Sequence, residues 1–479
     1  MSGRFDELRR EYPQFVYSGY SVSEHEDGLH LSFDFSIPGL CEFHPQTRLD
    51  GKSLDIFNSP VSDYAKRMVF FIGLAEAVSY WKCACPPVFR VECGEMSEDD
   101  KVFFKKLWFN GLGEFFYRNG IKTDIDSFVR IDAPEPKNIP QCEDYVSSGI
   151  EIVPVGGGKD SAVTTELLHP FGDKLRFFTV NDQPARTQCV LAGGYSEDKI
   201  IKIYRTIDPE LLKRNAEGFL NGHTPFSSVV AFISMYAGFI NGANDIILSN
   251  ESSANESNIG GESVNHQYSK SFEFERDFDE FRRRNFPQSA VYFSLLRPFC
   301  ELQIAKQFSQ YKQYHLIFRS CNRGSKKNIW CCECPKCLFV AIMLSPFLPP
   351  DELNSIFGCD MLAKTELETD FDGLCGFTGL KPFECVGTAD EVVLALTLTA
   401  EKYRKSGLEM PALLRRFCEK NTARADYSLL SGFNEENLIP KKFDECVKRM
   451  FEYVSAADRP SEKQAHSSAW HGARGSLDL

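Results

Sequence analysis

In residues 29 to 37, LHLSFDFSI, apolar and polar positions alternate strictly. Leu29, Leu31, Phe33, Phe35 and Ile37 fall on one side, the period of a half-buried strand. The apolar spacing then changes to that of helices over roughly 62 to 82 and 98 to 118. Ser97 and Asp100 stand in capping-box spacing ahead of the second, and Asn119-Gly120 follows it. The proline- and charge-rich run DAPEPKNIPQCED, 132 to 144, suits an exposed connection. From 150 onward short β-rich runs alternate with longer helical ones: IEIVPV (150 to 155), LRFFTV (175 to 180), KIIKIY (199 to 204), DIILS (245 to 249) and HLIFRS (315 to 320). Apolar runs of that length between helices predict parallel strands covered on both faces. After about 345 the pattern is mainly helical, and from about Ala456 it is polar and aperiodic, which predicts a disordered tail. The expected organisation is an N-terminal α+β domain (1–145), a doubly wound parallel α/β domain (146–345), a helical region (346–455) and a tail (456–479).

Composition narrows the partners. A chain of 479 residues with 43% hydrophobic and 25% charged residues is an ordinary globular protein, long enough for several domains. Its 54 Lys and Arg against 67 Asp and Glu leave a net charge of -13, which argues against nucleic acid as a partner. No run approaches the roughly 18 to 20 apolar residues of a bilayer span, and the start, MSGRFDELRREYP, is charged. A cytoplasmic protein without a membrane partner is expected. Seventeen cysteines in that setting read as reduced thiols.

The strand IEIVPV runs into Gly156, Gly157 and Gly158, then Lys159, Asp160 and Ser161, and then a helix. Glycines let bare backbone N–H groups approach an oxyanion, and the helix start adds its positive dipole end. The loop amides and Ser161 are therefore expected to hold phosphate oxygens. Asp160 repels phosphate, so its expected task is to hold a magnesium ion bridging the phosphates. A Walker loop fails because Asp160 follows Lys159 where Ser or Thr is required, and a dinucleotide fingerprint fails because Ser161 stands at its last glycine.

These residues resemble the PP-loop of the ATP pyrophosphatase superfamily, whose pattern is Ser-Gly-Gly-x-Asp-Ser, with Gly156 here replacing the first serine and its hydroxyl contact. The resemblance implies a PP-loop sheet that cleaves ATP between its α- and β-phosphates, with Gly156 to Ser161 as the nucleotide site. Further along stand NGHTPFSS (221 to 228), LSNESSANE (248 to 256), SCNRG (320 to 324), CCECPKCLF (331 to 339) and GLKPFECVGT (379 to 388). In this order, over nearly the whole chain, they resemble the UDP-N-acetylmuramoyl-L-alanyl-L-glutamate epimerase family. The resemblance implies an ATP- and magnesium-dependent isomerase of peptidoglycan synthesis acting on a UDP-linked muramoyl dipeptide. The α-carboxylate of its terminal L-glutamate is activated as an acyl adenylate, its α-carbon inverted and the adenylate hydrolysed. The chemistry is coherent: neutralising the carboxylate lets an enolate form without two adjacent charges, and an acid/base group is then needed on each face of the carbon.

The acid/base candidates are His223, Glu251 and Cys385, and the nucleotide candidates beyond the loop are Asn255 and Lys381. His223 reads equally as a helix-capping histidine. Glu251 and Asn255 follow DIILS at the edge where open α/β sheets bind ligands. Lys381, Glu384 and Cys385 share one segment, in which Cys385 is either a proton carrier or a buried cysteine in a turn. Cys321, Cys332, Cys334 and Cys337 are spaced for a structural zinc, with Cys331 able to replace Cys332. Free thiols that only pack are the other reading. Arg282, Arg283 and Arg284 read as a solvated helix face or as contacts to the substrate's diphosphate. Two further readings of the whole stay open: another PP-loop adenylating enzyme, modifying a nucleobase or tRNA or acting like an amidotransferase, and a non-catalytic nucleotide sensor.

Overall fold

A computed structural model describes residues 2–142, 147–255, 268–378, 381–382, 384 and 386–456. Among these, one sheet of eleven strands organises the molecule: β1 (Gln14–His25), β2 (Gly28–Ile37), β3 (Cys41–Phe43), β4 (Gln46–Asp50), β5 (Val88–Val91), β6 (Arg130–Asp132), β7 (Ile150–Pro154), β8 (Leu175–Val180), β9 (Ile200–Arg205), β10 (Ala243–Leu248) and β11 (Val291–Ser294). Their order is β11-β10-β7-β8-β9-β4-β2-β1-β5-β6, with β3 beside β2. The five strands from β11 to β9 are mutually parallel. Antiparallel pairing of β4 with β9 carries the sheet into the N-terminal strands.

The apolar patterns have direct physical causes. Leu29, Leu31, Phe33, Phe35 and Ile37 are all buried, so the alternation in β2 marks one core face. In the parallel strands successive residues face different cores. Ile152, Ile246 and Tyr292 join the N-terminal core, while Val153, Ile247 and Phe293 join a second one built with the C-terminal helices. Both faces are covered, which is why those runs are continuously apolar. The helix expected over 62 to 82 is Ser62–Trp81, buried at every residue from Arg67 to Trp81 and packed on the helix Phe226–Asn241. The stretch 98 to 118 forms two helices, Glu98–Gly111 and Gly113–Arg118. The capping box is present: the Asp100 amide donates to Ser97 Oγ at 3.2 Å and the Ser97 amide to Asp100 Oδ2 at 3.1 Å. Beyond 345 the described chain is helical, as expected. The expected tail lies outside the described residues after Ala456.

One predicted strand is corrected. HLIFRS is a turn: the amides of Ile317 and Phe318 donate back to the Tyr314 carbonyl, His315 Nδ1 pairs with Glu352 at 2.8 Å, and Leu316 is exposed. The last parallel strand is Val291–Ser294 instead. The arginine run is corrected as well. Arg282 is buried on Asp279 at 2.7 Å and Arg284 reaches Asp100 at 3.2 Å, so only Arg283 presents an exposed side chain. At about 100° per residue, three adjacent arginines cannot share one helix face.

Under the sheet, at the start of β7 and within β10, Glu151 and Asp245 are buried and both pair with Lys442 from the last quarter of the chain. No described helix is long and apolar enough to cross a membrane.

Candidate functional site at the glycine loop

The loop leaves β7 at its carboxyl end. Gly157 takes φ +81°, a left-handed conformation costly for other residues, and an added Cβ would stand 3.1 Å from Ala185 Cβ. Gly158 then caps the helix Lys159–Leu167 with no side chain over its first amides. The first turn of a helix leaves amides without internal acceptors, so this end is suited to an anion. Two segments grip the loop from outside. The Arg319 amide donates to the Gly157 carbonyl at 2.7 Å, and Ser320 Cβ lies 3.5 Å from where a Gly158 Cβ would be; on the other side stand Ala185 and Arg186. Ser161 Oγ donates to the Gly158 carbonyl at 3.1 Å.

Lys159 is buried and bridges Asp160 and Glu301, the first residue of the helix Glu301–Phe308. Burial opposes its charge, but the two carboxylates prevail and raise its pKa above the ordinary lysine value. Glu301 is held above the ordinary carboxylate range by burial, against the pull of Lys159 and with repulsion from Asp160 and Glu251. Glu251, buried just past the carboxyl end of β10, is raised by burial first and by Asp160 second, with Lys270 and Lys159 opposing. Its carbonyl accepts from Arg297 Nη1 at 2.6 Å, and Arg297, fully buried, also bonds Glu275 at 2.9 Å, so the turn after β10 is pinned. Ser253 Oγ donates to Glu391 Oε1 at 3.0 Å, and the Glu301 amide donates to Ser253 Oγ at 3.4 Å. Three carboxyl groups thus share a small space with Lys159, while Lys270 and Lys336 act on them electrostatically.

The structure brings Gly156, Gly157, Gly158, Lys159, Asp160, Ser161 and Glu251 together, and adds Glu301, Glu391, Ser253 and Lys336. The segment containing Lys381 and Glu384 reaches the same region, for Asn322 Nδ2 donates to Glu384 Oε2 at 2.7 Å and Gly387 sits against Glu301 Cβ. Asn255 ends the short turn Ser252–Asn255, with its side chain outside the described residues, as is Cys385. His223 belongs to a second group. Its Nδ1 is 3.7 Å from Glu114 Oε2, beside buried Lys82, which donates to the Gly222 carbonyl and to Thr224 Oγ1 at 2.7 Å. Burial, with Arg205 nearby, lowers Lys82 to about 8. This group precedes the helix Phe226–Asn241, and Phe226 lies 5.6 Å from the guanidinium of Arg205 at the end of β9. It is therefore near the same carboxyl edge of the sheet.

The cysteine set needs one correction. The sulfurs that converge are those of Cys321, Cys331, Cys334 and Cys337, all within 4.8 Å of one another. Cys332 takes φ +56°, which turns its side chain away, and its Sγ lies 3.3 Å from the Phe357 carbonyl.

Residues 6–295 match the family model described as the MurL N-terminal domain, and residues 317–429 match the MurL C-terminal domain. Three relatives carry the name UDP-N-acetyl-alpha-D-muramoyl-L-alanyl-L-glutamate epimerase. The one from Xanthomonas oryzae is 34% identical over 393 residues, covering 79% of this chain and 85% of its own. That from Micromonospora sp. is 34% identical over 410 residues (83% and 89%), and that from Salinispora tropica 33% identical over 407 residues (83% and 87%). No solved structure matches. The Arg319 to Gly157 hydrogen bond joins the two matched regions at the loop itself, and with both models matched across most of its length this chain belongs to the MurL family.

Proposed function

We propose that this chain epimerises the terminal L-glutamate of UDP-N-acetylmuramoyl-L-alanyl-L-glutamate to D-glutamate in cytoplasmic peptidoglycan precursor synthesis, consuming ATP with magnesium and releasing AMP and diphosphate. The observation that carries the reading is Glu251, a buried carboxyl group raised toward protonation and electrostatically linked to the glycine loop. Such a group can exchange a proton at a carbon whose carboxylate is activated by the nucleotide next to it. Family membership and the names of the three relatives support the substrate. The strand order, which reverses between β10 and β7, supports a doubly wound PP-loop sheet, because ligands of such sheets sit where the order reverses.

The loop amides and Ser161 would hold phosphate oxygens. Three carboxyl groups facing one bridging lysine leave the site short of positive charge for a polyphosphate; a divalent cation would supply it, and Asp160, 30% exposed in its side chain, would hold that cation. Magnesium there would neutralise charge on the leaving diphosphate. Lys159 fixes Asp160 and Glu301 in place. Glu251 serves one face of the α-carbon, and Lys82, lowered to about 8, with His223 and Glu114 is the group assigned to the other.

The test is solvent exchange. In heavy water, with the UDP-linked dipeptide, ATP and magnesium, deuterium should appear at the glutamate α-carbon in step with AMP formation. Omitting ATP, or using an analogue that cannot be cleaved between its α- and β-phosphates, should abolish it. Exchange without ATP contradicts the adenylate route, and AMP release without exchange means that the α-carbon is not deprotonated, which contradicts epimerisation.

A further inference from the structure

The activity proposed above leaves the four converging cysteines unused. Three Sγ pairs lie at 4.0 Å (Cys321 and Cys334), 3.8 Å (Cys331 and Cys337) and 3.4 Å (Cys334 and Cys337). These separations are far beyond a disulfide bond of about 2.05 Å. They centre on the edge of a tetrahedron with metal-sulfur bonds of about 2.3 Å, which is about 3.8 Å. Cys321, Cys334 and Cys337 are buried. The Gly324 amide donates to Cys321 Sγ at 3.2 Å and the Glu333 amide to Cys331 Sγ at 3.5 Å, the kind of contact that steadies thiolate ligands.

We propose that Cys321, Cys331, Cys334 and Cys337 bind one zinc ion that acts as a clamp on the nucleotide loop. Four sulfurs at this spacing fit a single ion and are too close for an iron–sulfur cluster, whose ligand sulfurs lie outside a core of several atoms. With four protein ligands the ion has no open position, so its role is structural. Binding releases the thiol protons and leaves a site of net charge -2. The position explains the consequence. Cys321 directly follows Arg319, whose amide bonds the Gly157 carbonyl, and Ser320, which flanks Gly158. Cys334 caps and Cys337 enters the helix Pro335–Leu344, whose Lys336 bears on Glu301. One ion thereby ties the segment that bonds the loop to the helix whose Lys336 bears on Glu301 beside it.

The experiment uses the full chain purified without chelator from zinc-containing medium. Elemental analysis should find about one zinc per chain and no stoichiometric iron. The neighbouring cysteines discriminate: Cys331→Ser should fall below about 0.2 zinc per chain, while Cys332→Ser keeps about one. Removing zinc from the wild type with a chelator should increase amide exchange at 156 to 160 and 319 to 324. Metal-free or iron-loaded wild-type protein overturns the proposal whether or not Cys331→Ser folds, as does loss of zinc from Cys332→Ser with retention in Cys331→Ser. Unchanged exchange at 156 to 160 after zinc removal overturns the clamp.

Discussion

Replacing Lys159 by Met keeps most of the length of the side chain and deletes its charge. Glu301 is left without its buried partner and Asp160 without its nearest cation. Breaking a buried ion pair from one side costs about 3–5 kcal/mol, because the orphaned charge stays desolvated. Unfolding entropy of about 2.1 cal/mol/K per residue gives roughly 1 kcal/mol/K for a chain of this length, so the melting temperature at pH 8 should fall by about 3–5 °C. The loss should depend on pH in a defined direction. Glu301 and Glu251 are already raised in the folded protein, and losing Lys159 raises them further. A carboxyl group with a raised folded pKa stabilises at low pH and loses that contribution as pH rises through its folded value. The deficit should therefore shrink between pH 8 and pH 5.5. Lys159→Met/Glu301→Gln, which removes the orphaned charge as well, should recover at least about 1 kcal/mol of the loss at pH 8. Thermal unfolding followed by fluorescence in magnesium-free buffer reads all three. A variant within about 1 °C of the wild type at pH 8, or a deficit of equal size at both pH values, would refute the argument.

Two further outcomes follow from the same structure. Gly157→Ala should weaken ATP binding and cost about 1–2 kcal/mol, since φ +81° and Ala185 both oppose a Cβ, whereas Gly156→Ser meets open space and should leave the melting temperature unchanged; titration calorimetry with magnesium-ATP and melting curves check the pair. Burial, against Lys442 and with Asp245, pushes Glu151 up to about 7, so its contribution to stability is present at low pH and lost as pH rises through about 7. Glu151→Gln should flatten that part of a melting profile between pH 5 and 8, and parallel profiles would remove Glu151 as the cause.

The glycine loop was legible as a strand-to-helix turn because its signal is local: strand, three glycines and helix are consecutive. Strands β7 to β10 were legible for a similar reason, since burial on both faces leaves an uninterrupted apolar run. Glu301, Glu391 and Lys336 gave no such signal. They stand 142, 232 and 177 positions from Lys159, and only the fold brings them to it. An acidic residue opening a helix soon after the β11 segment was the one available hint of Glu301. HLIFRS carries the pattern of a strand, but its backbone is committed elsewhere, through the Arg319 amide to Gly157 and the Phe318 amide to Tyr314. The choice between Cys331 and Cys332 rested on a single backbone dihedral angle, which spacing does not encode.

The pairing of Lys442 with Glu151 and Asp245 bears on synthesis as well as on stability. A chain emerging from the ribosome presents β7 and β10 with both acids in place, and their shared cation follows only about 200 residues after β10, on the order of 10–40 s at bacterial-scale rates of roughly 5–20 residues per second. Throughout that interval the underside of the parallel strands carries two carboxylates side by side with no cation between them. They repel, and protonation of one is the cheapest relief. Until the last helix region arrives, the seam between β7 and β10 lacks the cation that neutralises this pair, and a premature stop before Lys442 removes that cation while keeping every residue of the glycine loop.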